Sequence, residues 1–557
     1  MQWHMWESLL SEYPDQNAKS RLQTLMTTGA RLEREGKVPS SRREPPDRIN
    51  TKEAEEVVDA YTAKELSLGR FEVFNTRPKG LVLSPFSVVF KDQAPPAKPK
   101  GRFVFDLSNE DDEGISVNSG IVKRTLQYES VDSAVNKLLD MRKVVGTQKI
   151  VLIKMDVRAA FRCVPIDVRD HHLLGFKWRL RYYIDKFCSF GSRSSPQTWE
   201  DIAAALHWLL QRRLDALGLA AVVHYVDDFL IMCSPELAAQ VMAVAEALGT
   251  ELGIPWEPTK TLGPATKLPF LGVDVDTESM TTSLPADKAT KGIALVASAL
   301  QARRLSRAKF ESLAGTLSSY AQSVRNARTF CRRLYQWLAD TRGERRARAF
   351  SQEVLSDLQW WAAALPVVQT LTVPMHCAEW AKGSFASMHT DASTSWGGGA
   401  TLCRPGHRTL RWWQKVWSQE ERRLASRESV ESINWLEAAT VLIGVRTWAE
   451  HLRGLRLWVR SDNTTTVSAL RDGYSTCPHL MHLVRSVWLL STQFCIELRV
   501  THIPGAANVL PDALSRGETL QFGTLARRMA RAVTTPFSRV AKVGAEPDVP
   551  QSYQSLV

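Results

Sequence analysis

Residues 221–233, AVVHYVDDFLIMC, constrain the fold of this chain more than any other stretch. Residues 222–225 and 229–232 are short β-favouring runs, and Val226, Asp227 and Asp228 stand between them. The pattern predicts a tight hairpin with two carboxylates at its tip. Neither half is long enough for a membrane helix, and the charges interrupt the apolar run. Adjacent like charges between buried strands are costly unless a cation or solvent compensates them. Taken alone, the pair reads as an ordinary acidic turn. The rest of the chain changes that reading.

The 557 residues are enough for roughly two to four domains, each with its own core. A formal charge of +12 points to a polyanionic partner, because Lys and Arg neutralise phosphates and steer them from a distance. The 8 cysteines are scattered and form no CxxC, which argues for a reducing compartment and against a zinc cluster. Charges within the first dozen residues leave no apolar signal core, and no segment approaches a membrane span. The expectation is a protein without membrane attachment, cytoplasmic and/or nuclear and not secreted.

Along the chain, residues 1–80 read as a helical, basic extension, with an amphipathic helix over 54–69 ending at Gly69. Two β-like runs, 86–90 and 102–107, flank a Pro/Lys-rich turn, so Lys91 and Arg102 can lie over a phosphate chain or simply in a solvated basic loop. The run 149–156 is a buried strand ending at Asp156, where the carboxylate can meet a metal or cap the following turn. At Gly191 the chain turns through GSRSSPQTW, with Ser194 or Ser195 expected to cap a helix starting near Pro196. That helix returns the chain to the Asp227–Asp228 hairpin, so Asp156 and the pair can share one sheet edge. Residues 267–276, KLPFLGVDVD, read as a strand pair bent at Gly272, and 286–304 and 306–339 as Arg-rich helices. Beyond Pro374 a second α/β pattern places Asp391 on a strand, Glu437 on a helix, Asp462 at a strand end and Asp512 in a short helix.

In order, RFVFDLSN, KMDVRAAF, SFGSRSSPQTW, YVDDFLIM, FLGVDVD, HTDAS, NWLEAATVL, VRSDNTTTV and THIPGAANVLPDALSR resemble the motifs of a retroelement reverse transcriptase joined to a ribonuclease H domain. The resemblance covers about residues 80–516 and is nearest to the DIRS-type retrotransposon group, then gypsy-type elements. It implies an α/β and α+β multidomain chain: a right-hand polymerase of fingers, palm and thumb followed by a ribonuclease H-like domain. The expected segments are 1–80 extension, 81–280 fingers and palm, 281–375 thumb or connection-like helices and linker, 376–516 ribonuclease H-like domain, and 517–557 a basic, partly disordered tail.

By this resemblance Asp156, Asp227 and Asp228 are the polymerase carboxylates, with Asp156 and Asp227 the main metal ligands. Asp391, Glu437, Asp462 and Asp512 are the ribonuclease H carboxylates, Glu437 being preferred over Glu428 and Glu431, and His502 stands ready to position water or release product. Each site is expected to use two Mg²⁺, with Mn²⁺ able to substitute, because hard cations take oxygen donors and bridge phosphates. Lys91 and Arg102 resemble triphosphate-binding finger residues, and Phe161 resembles an aromatic that crowds the sugar 2′ position. Gly191, Ser195 and Pro196 resemble the loop and helix start that shape the nucleotide and template pocket. Lys260 resembles a phosphate-facing lysine, and Leu271 and Gly272 a primer-contacting turn.

The implied partners are an RNA template, a DNA primer, the RNA–DNA hybrid and dNTPs. A recombinase or capsid-like protein of the element could be encoded on separate chains, and the oligomeric state stays open. Phe161 and His502 keep plain structural readings, as core aromatic and structural histidine. The competing function is a domesticated or inactive nucleic-acid-binding scaffold. Retention of every candidate carboxylate argues against it.

Overall fold

In a computed structural model the described residues are all except 42–43, 91–100, 325–326, 345, 371, 376–384, 426–431, 532–538 and 543–557. They form two compact units, Met1–Leu271 with Asp276–Ser279, and Gly272–Val275 with Met280–Val557. Lys91, Glu428 and Glu431 fall outside the described residues.

The first unit is built on an antiparallel sheet in the order Ala220–Tyr225, Asp228–Cys233, Val151–Asp156, Leu262–Ala265. Its two middle strands are nearly continuous apolar runs because both faces are covered. Helices Val131–Val145 and Ser194–Asp215 pack on Ala220–Tyr225, and Ala238–Leu252 packs on Val151–Asp156. Phe229, Leu230, Ile231, Met232 and Trp199 are fully buried, and each such side chain contributes about 1.5–3 kcal/mol. The covering helices begin and end where their residues dictate. Ser130 and Ser133 form a reciprocal capping box at one start, and Gly253 in the left-handed region closes Ala238–Leu252.

Residues 1–80 share this core rather than standing outside it. Trp6 is buried and its indole N–H donates to the Leu252 carbonyl at 3.0 Å, and Leu22, Val58 and Phe71 join the same cluster. A second layer is aromatic: Phe71, Phe86, Phe103, Phe105 and Phe176 pack edge-to-face and stacked around the strand pair Phe86–Phe90 and Gly101–Phe105. Residues 186–190 are irregular chain, because Arg179 and Leu180 turn with positive φ and the return strand Arg181–Asp185 is complete before Lys186.

Beneath Phe161 lies a buried ion network. Arg162 is 4% exposed and donates to Glu65 Oε2 at 2.6 Å and Asp185 Oδ2 at 2.7 Å, the carboxylates coming from helix Lys52–Ser67 and strand Arg181–Asp185. Removing the arginine strands two buried carboxylates, which costs about 3–5 kcal/mol. Arg162→Met is therefore expected to lower the urea midpoint strongly. The exposed pair Arg179–Asp59 is worth about 0–1 kcal/mol, so Arg179→Met should leave the midpoint nearly unchanged. Equal shifts in the two variants would refute the network's role.

The second unit opens with helices Ala286–Ala302, Arg307–Tyr320, Arg332–Asp340 and Gln352–Ala364 around Phe310, Leu317, Trp337 and Trp361. The single long helix expected over 306–339 is broken at 321–331, where a 3-10 turn, Ala327–Phe330, intervenes. Then comes a mixed sheet in the order Glu497–His502, Arg456–Ser461, Ala386–Ala392, Gly397–Cys403, Thr409–Val416, Arg539–Lys542. Its third, fourth and fifth members run antiparallel from Ala386–Ala392 to Thr409–Val416, whereas Arg456–Ser461 and Glu497–His502 join in parallel. Helix Thr519–Arg531 is basic on one side, as expected of the tail. Its Phe522 and Ala526 are buried with Trp412 and Leu514, so this part of the tail belongs to the fold. Among the described residues, no helix is long and apolar enough to cross a membrane.

Candidate active sites

In the first unit the hairpin forms as the sequence predicts, with a sharper division of labour between the two acids. Asp228 opens the second strand and faces Asp156 across the ladder, whereas Asp227 lies in the two-residue turn with Val226. Directly opposed residues of an antiparallel pair project to the same face, so Asp156 and Asp228 stand side by side. Val226 has φ +56°, a conformation that a β-branched residue adopts only under strain, and primed hairpin turns favour glycine there. The strained tip is held from both sides. The Trp199 indole N–H donates to the Val226 carbonyl at 2.8 Å, and the Val157 N–H donates to the Asp227 carbonyl at 2.9 Å.

Two of the three acids meet lysines. Lys260 Nζ donates to Asp156 Oδ1 at 2.6 Å, and Lys154 Nζ lies 2.9 Å from Asp228 Oδ1. Burial, then the neighbouring Asp156 and Asp228, raise the Asp227 pKa, while the Asp156 carboxylate raises that of Lys260. Lys260 thus contacts an acid here instead of standing free toward a phosphate, and its ammonium compensates charge that a divalent cation could neutralise.

Arg102, Phe190 and Phe161 are in contact in a row. The Arg102 guanidinium sits 4.5 Å from the Phe190 ring centre, and that ring is 5.3 Å from Phe161. Gly191 has φ +104°, and a Cβ there would come within 1.9 Å of the Phe105 carbonyl, so only glycine lets the loop carry Phe190 against the Phe86–Phe90/Gly101–Phe105 hairpin. Ser195 is fully buried and its Oγ accepts from the Ser189 N–H at 3.1 Å. It does not cap the helix: the helix starts at Ser194, Arg193 is the N-cap, and no side chain caps it, because Ser195 is already inside the first turn. Pro196 lies in that turn, where a missing N–H is harmless. Leu271 and Gly272 have φ of +48° and +81° between strands Lys267–Phe270 and Val273–Asp276, the expected bend. In the second unit, Lys288 Nζ donates to the Gly272 carbonyl at 3.0 Å.

The second unit holds a tighter carboxylate group. Asp391 ends strand Ala386–Ala392, Glu437 projects from helix Ser432–Thr447, and Asp462 follows strand Arg456–Ser461. One carboxylate oxygen of each lies within 4.8 Å of the others. Glycines allow the helices to come close: a Cβ on Gly398 would meet Thr440 Oγ1 at 2.5 Å, and one on Gly399 would meet Leu514 at 2.3 Å. Burial, followed by Asp462 and Asp512, pushes Asp391 up to about 7, with Ser515 opposing the shift. Burial and then Asp391 push Glu437 well above its ordinary value.

Asp512 and His502 lie at the margin of this group. Asp512 is outside the three-acid cluster and pairs with Arg516 at 2.7 Å. His502 Nε2 lies 3.1 Å from the Asp462 carbonyl oxygen. Sequence reasoning gave no role to Ser515, Asn508 or Arg516. Ser515 Oγ donates to Asp391 Oδ2, and Asn508 Nδ2 donates to the Thr390 carbonyl at 2.8 Å. All three lie inside or beside the stretch NVLPDALSR, where one helical turn from Asp512 was the available signal. The donor set is all oxygen, and burial together with acid–acid repulsion raises the pKa values of Asp391 and Glu437, which suits hard divalent cations.

These two sheets define the class: a mixed α/β multidomain chain with an antiparallel acid-bearing sheet in the first unit and a mixed acid-bearing sheet in the second. Residues 117–275 match the reverse transcriptase (RNA-dependent DNA polymerase) family, so this part is a reverse transcriptase domain. No curated protein shows a match to the sequence. Among solved structures, the foamy viral protease-reverse transcriptase in complex with dsDNA is similar at 15% identity, over 90% of this chain and 96% of that one, with a TM-score of 0.46. The same foamy viral protein in complex with an RNA/DNA hybrid is similar at 14% identity, over 90% and 62%, with a TM-score of 0.46.

Proposed function

We propose that the chain is an RNA- and DNA-templated DNA polymerase that also cleaves the RNA strand of RNA–DNA hybrids. The observation that carries the reading is the register that sets Asp156 against Asp228 with Asp227 in the adjoining turn, inside the segment matching the reverse transcriptase family. The cluster of Asp391, Glu437 and Asp462 supports the hydrolytic half. The ordered motifs put the chain nearest the DIRS-type group and then gypsy-type elements, working in cytoplasm and/or nucleus.

Asp156, Asp227 and Asp228 would hold one pair of Mg²⁺ ions, and Asp391, Glu437, Asp462 and Asp512 another. When bound, Mg²⁺ supplies charge neutralisation and nucleophile activation for phosphoryl transfer. The chain's residues do the rest. Lys260 leaves Asp156 as the carboxylate takes up other cationic charge, and becomes free to meet phosphate. Arg102 is held in place by the Phe190 ring beneath it and faces incoming negative charge. Phe161, fixed by the neighbouring Arg162 network, walls the sugar side of the site and excludes an added hydroxyl. In the second unit, Ser515 orients Asp391, and Asn508 ties strand Ala386–Ala392 to the helix bearing Asp512. The 2′-hydroxyls of the RNA strand provide the means of recognising a hybrid.

The test is primer extension on a labelled RNA template with Mg²⁺, reading DNA product and RNA fragments together. Extension accompanied by RNA cleavage is expected. Hybrid binding with neither product would make the chain a scaffold and overturn the proposal. Phe161→Val should raise the kcat/KM ratio of rNTP to dNTP by about tenfold or more, since a steric gate is worth ~1–3 kcal/mol. An unchanged ratio would leave Phe161 as a core aromatic.

A further inference from the structure

Outside both acid groups, the first unit contains another set of metal-ligating side chains, Glu129, His207 and His224. His207 Nδ1 lies 2.8 Å from His224 Nδ1 and 3.3 Å from Glu129 Oε2, and His224 Nδ1 lies 3.6 Å from the same oxygen. Three donors at tetrahedral angles with zinc bonds of about 2.0–2.1 Å are about 3.3 Å apart. The observed triangle brackets that spacing, and only the nitrogen pair has to open, by about 0.5 Å.

The surroundings fit the same reading. His224 Nε2 lies 3.2 Å from Glu200 Oε1, the carboxylate–imidazole pairing that fixes the tautomer and orientation of a ligating histidine. The other Glu200 oxygen is buried without a hydrogen-bond partner. Lys137 Nζ takes Glu129 Oε1 at 3.0 Å, so the lysine neutralises one oxygen and leaves Oε2 turned to the histidines. Two imidazole nitrogens facing each other at 2.8 Å accommodate one proton between them, or one metal ion in place of it. The side chains of Glu129, His207 and His224 are 24%, 17% and 8% exposed, so water can reach the group and fill a fourth position.

We propose that Glu129, His207 and His224 form a binding site for a borderline transition-metal ion of the Zn²⁺ type, with water as the fourth ligand. A nitrogen-rich donor set selects such an ion over Mg²⁺, which prefers oxygen throughout. The site joins the segment before helix Val131–Val145, helix Ser194–Asp215 and strand Ala220–Tyr225. It therefore braces the base of the hairpin, since His224 stands three residues before Asp227 and its N–H already donates to Glu129 Oε2 at 2.7 Å. The site does not depend on the polymerase reading, and its test does not read catalysis.

The experiment takes the full chain, strips it with a chelator, and dialyses it against Zn²⁺ in excess Mg²⁺ before counting retained zinc. Co²⁺ in place of zinc reports the geometry through its visible absorption. About one zinc per chain is expected in the wild type and in Asp391→Asn, with a tetrahedral Co²⁺ spectrum. His207→Gln and His224→Gln should lose that equivalent, and Glu129→Gln should bind at least tenfold more weakly. Where a histidine variant fails to fold, as read by circular dichroism, the Glu129→Gln titration decides alone. Absence of retained zinc in the wild type, or retention unaltered by these substitutions, overturns the site and leaves a hydrogen-bonded triad.

Discussion

Asp227→Asn is expected to reduce Mg²⁺-dependent primer extension by on the order of 10³-fold or more, since metal-borne charge stabilisation is worth several kcal/mol. Binding of an RNA–DNA hybrid should remain measurable, because the substitution keeps the shape of the turn and leaves the basic surface intact. Stability provides a second reading. Asp227 ionises against burial and two neighbouring acids, so its charge is a burden to the metal-free fold. Neutralising it should leave the urea midpoint unchanged or higher. Loss of extension with loss of stability would point to collapse of the hairpin, and persistence of extension above a tenth of wild type would remove Asp227 from the metal site. The outcome expected here, activity lost and stability kept, is the pattern of a site in which the fold tolerates strain and repulsion for function. Val226 at φ +56° is the backbone half of that arrangement.

Much of this was legible in the sequence because its signals were local. The short β-favouring runs on either side of Asp227 and Asp228 foretold the hairpin, and the ordered motifs foretold two acid-bearing sheets. The strand ends at Asp156, Asp391 and Asp462 fell where expected. What escaped was set by tertiary contact. Ser195 looked like a cap, and became a buried acceptor for the Ser189 N–H because the helix already starts at Ser194, ahead of Pro196. The contact of Lys260 with Asp156 had no local signal in the sequence. Arg162 carried no motif meaning, yet it holds two carboxylates whose residues lie 97 and 23 positions away in the chain. Glu129, His207 and His224 were equally invisible, since no spacing rule links a loop, a helix and a strand. The basic character of helix Thr519–Arg531 was readable, whereas the packing of its Phe522 and Ala526 with Trp412 and Leu514 had no local signal.

Removing divalent cations should destabilise the second unit progressively as pH rises from about 4 to about 7. Asp391 is pushed up to about 7 from its ordinary value of 3.8, so between those values the folded chain holds a proton that the unfolded chain has released. Stability contributed by that proton is full at the acid end and is lost as pH climbs through the window, by roughly 4 kcal/mol at most for this group. Glu437 acts in the same direction. Mg²⁺ reverses the sign of the problem, because it binds the ionised acids and compensates the repulsion that raised their pKa values. The rise in melting temperature on adding Mg²⁺ should therefore be small at pH 5 and large at pH 8, and more Mg²⁺ should be needed to support RNA cleavage as pH drops below about 7, where the metal-free Asp391 holds its proton. Glu437→Gln is expected to abolish RNA cleavage while primer extension continues, since the hydrolytic acids lie in a different unit from Asp156 and Asp227. In the same variant the Mg²⁺-dependent stabilisation at pH 8 should shrink. A Mg²⁺ effect that is independent of pH, or extension lost in step with cleavage, would mean that Asp391, Glu437 and Asp462 do not form a metal site of their own.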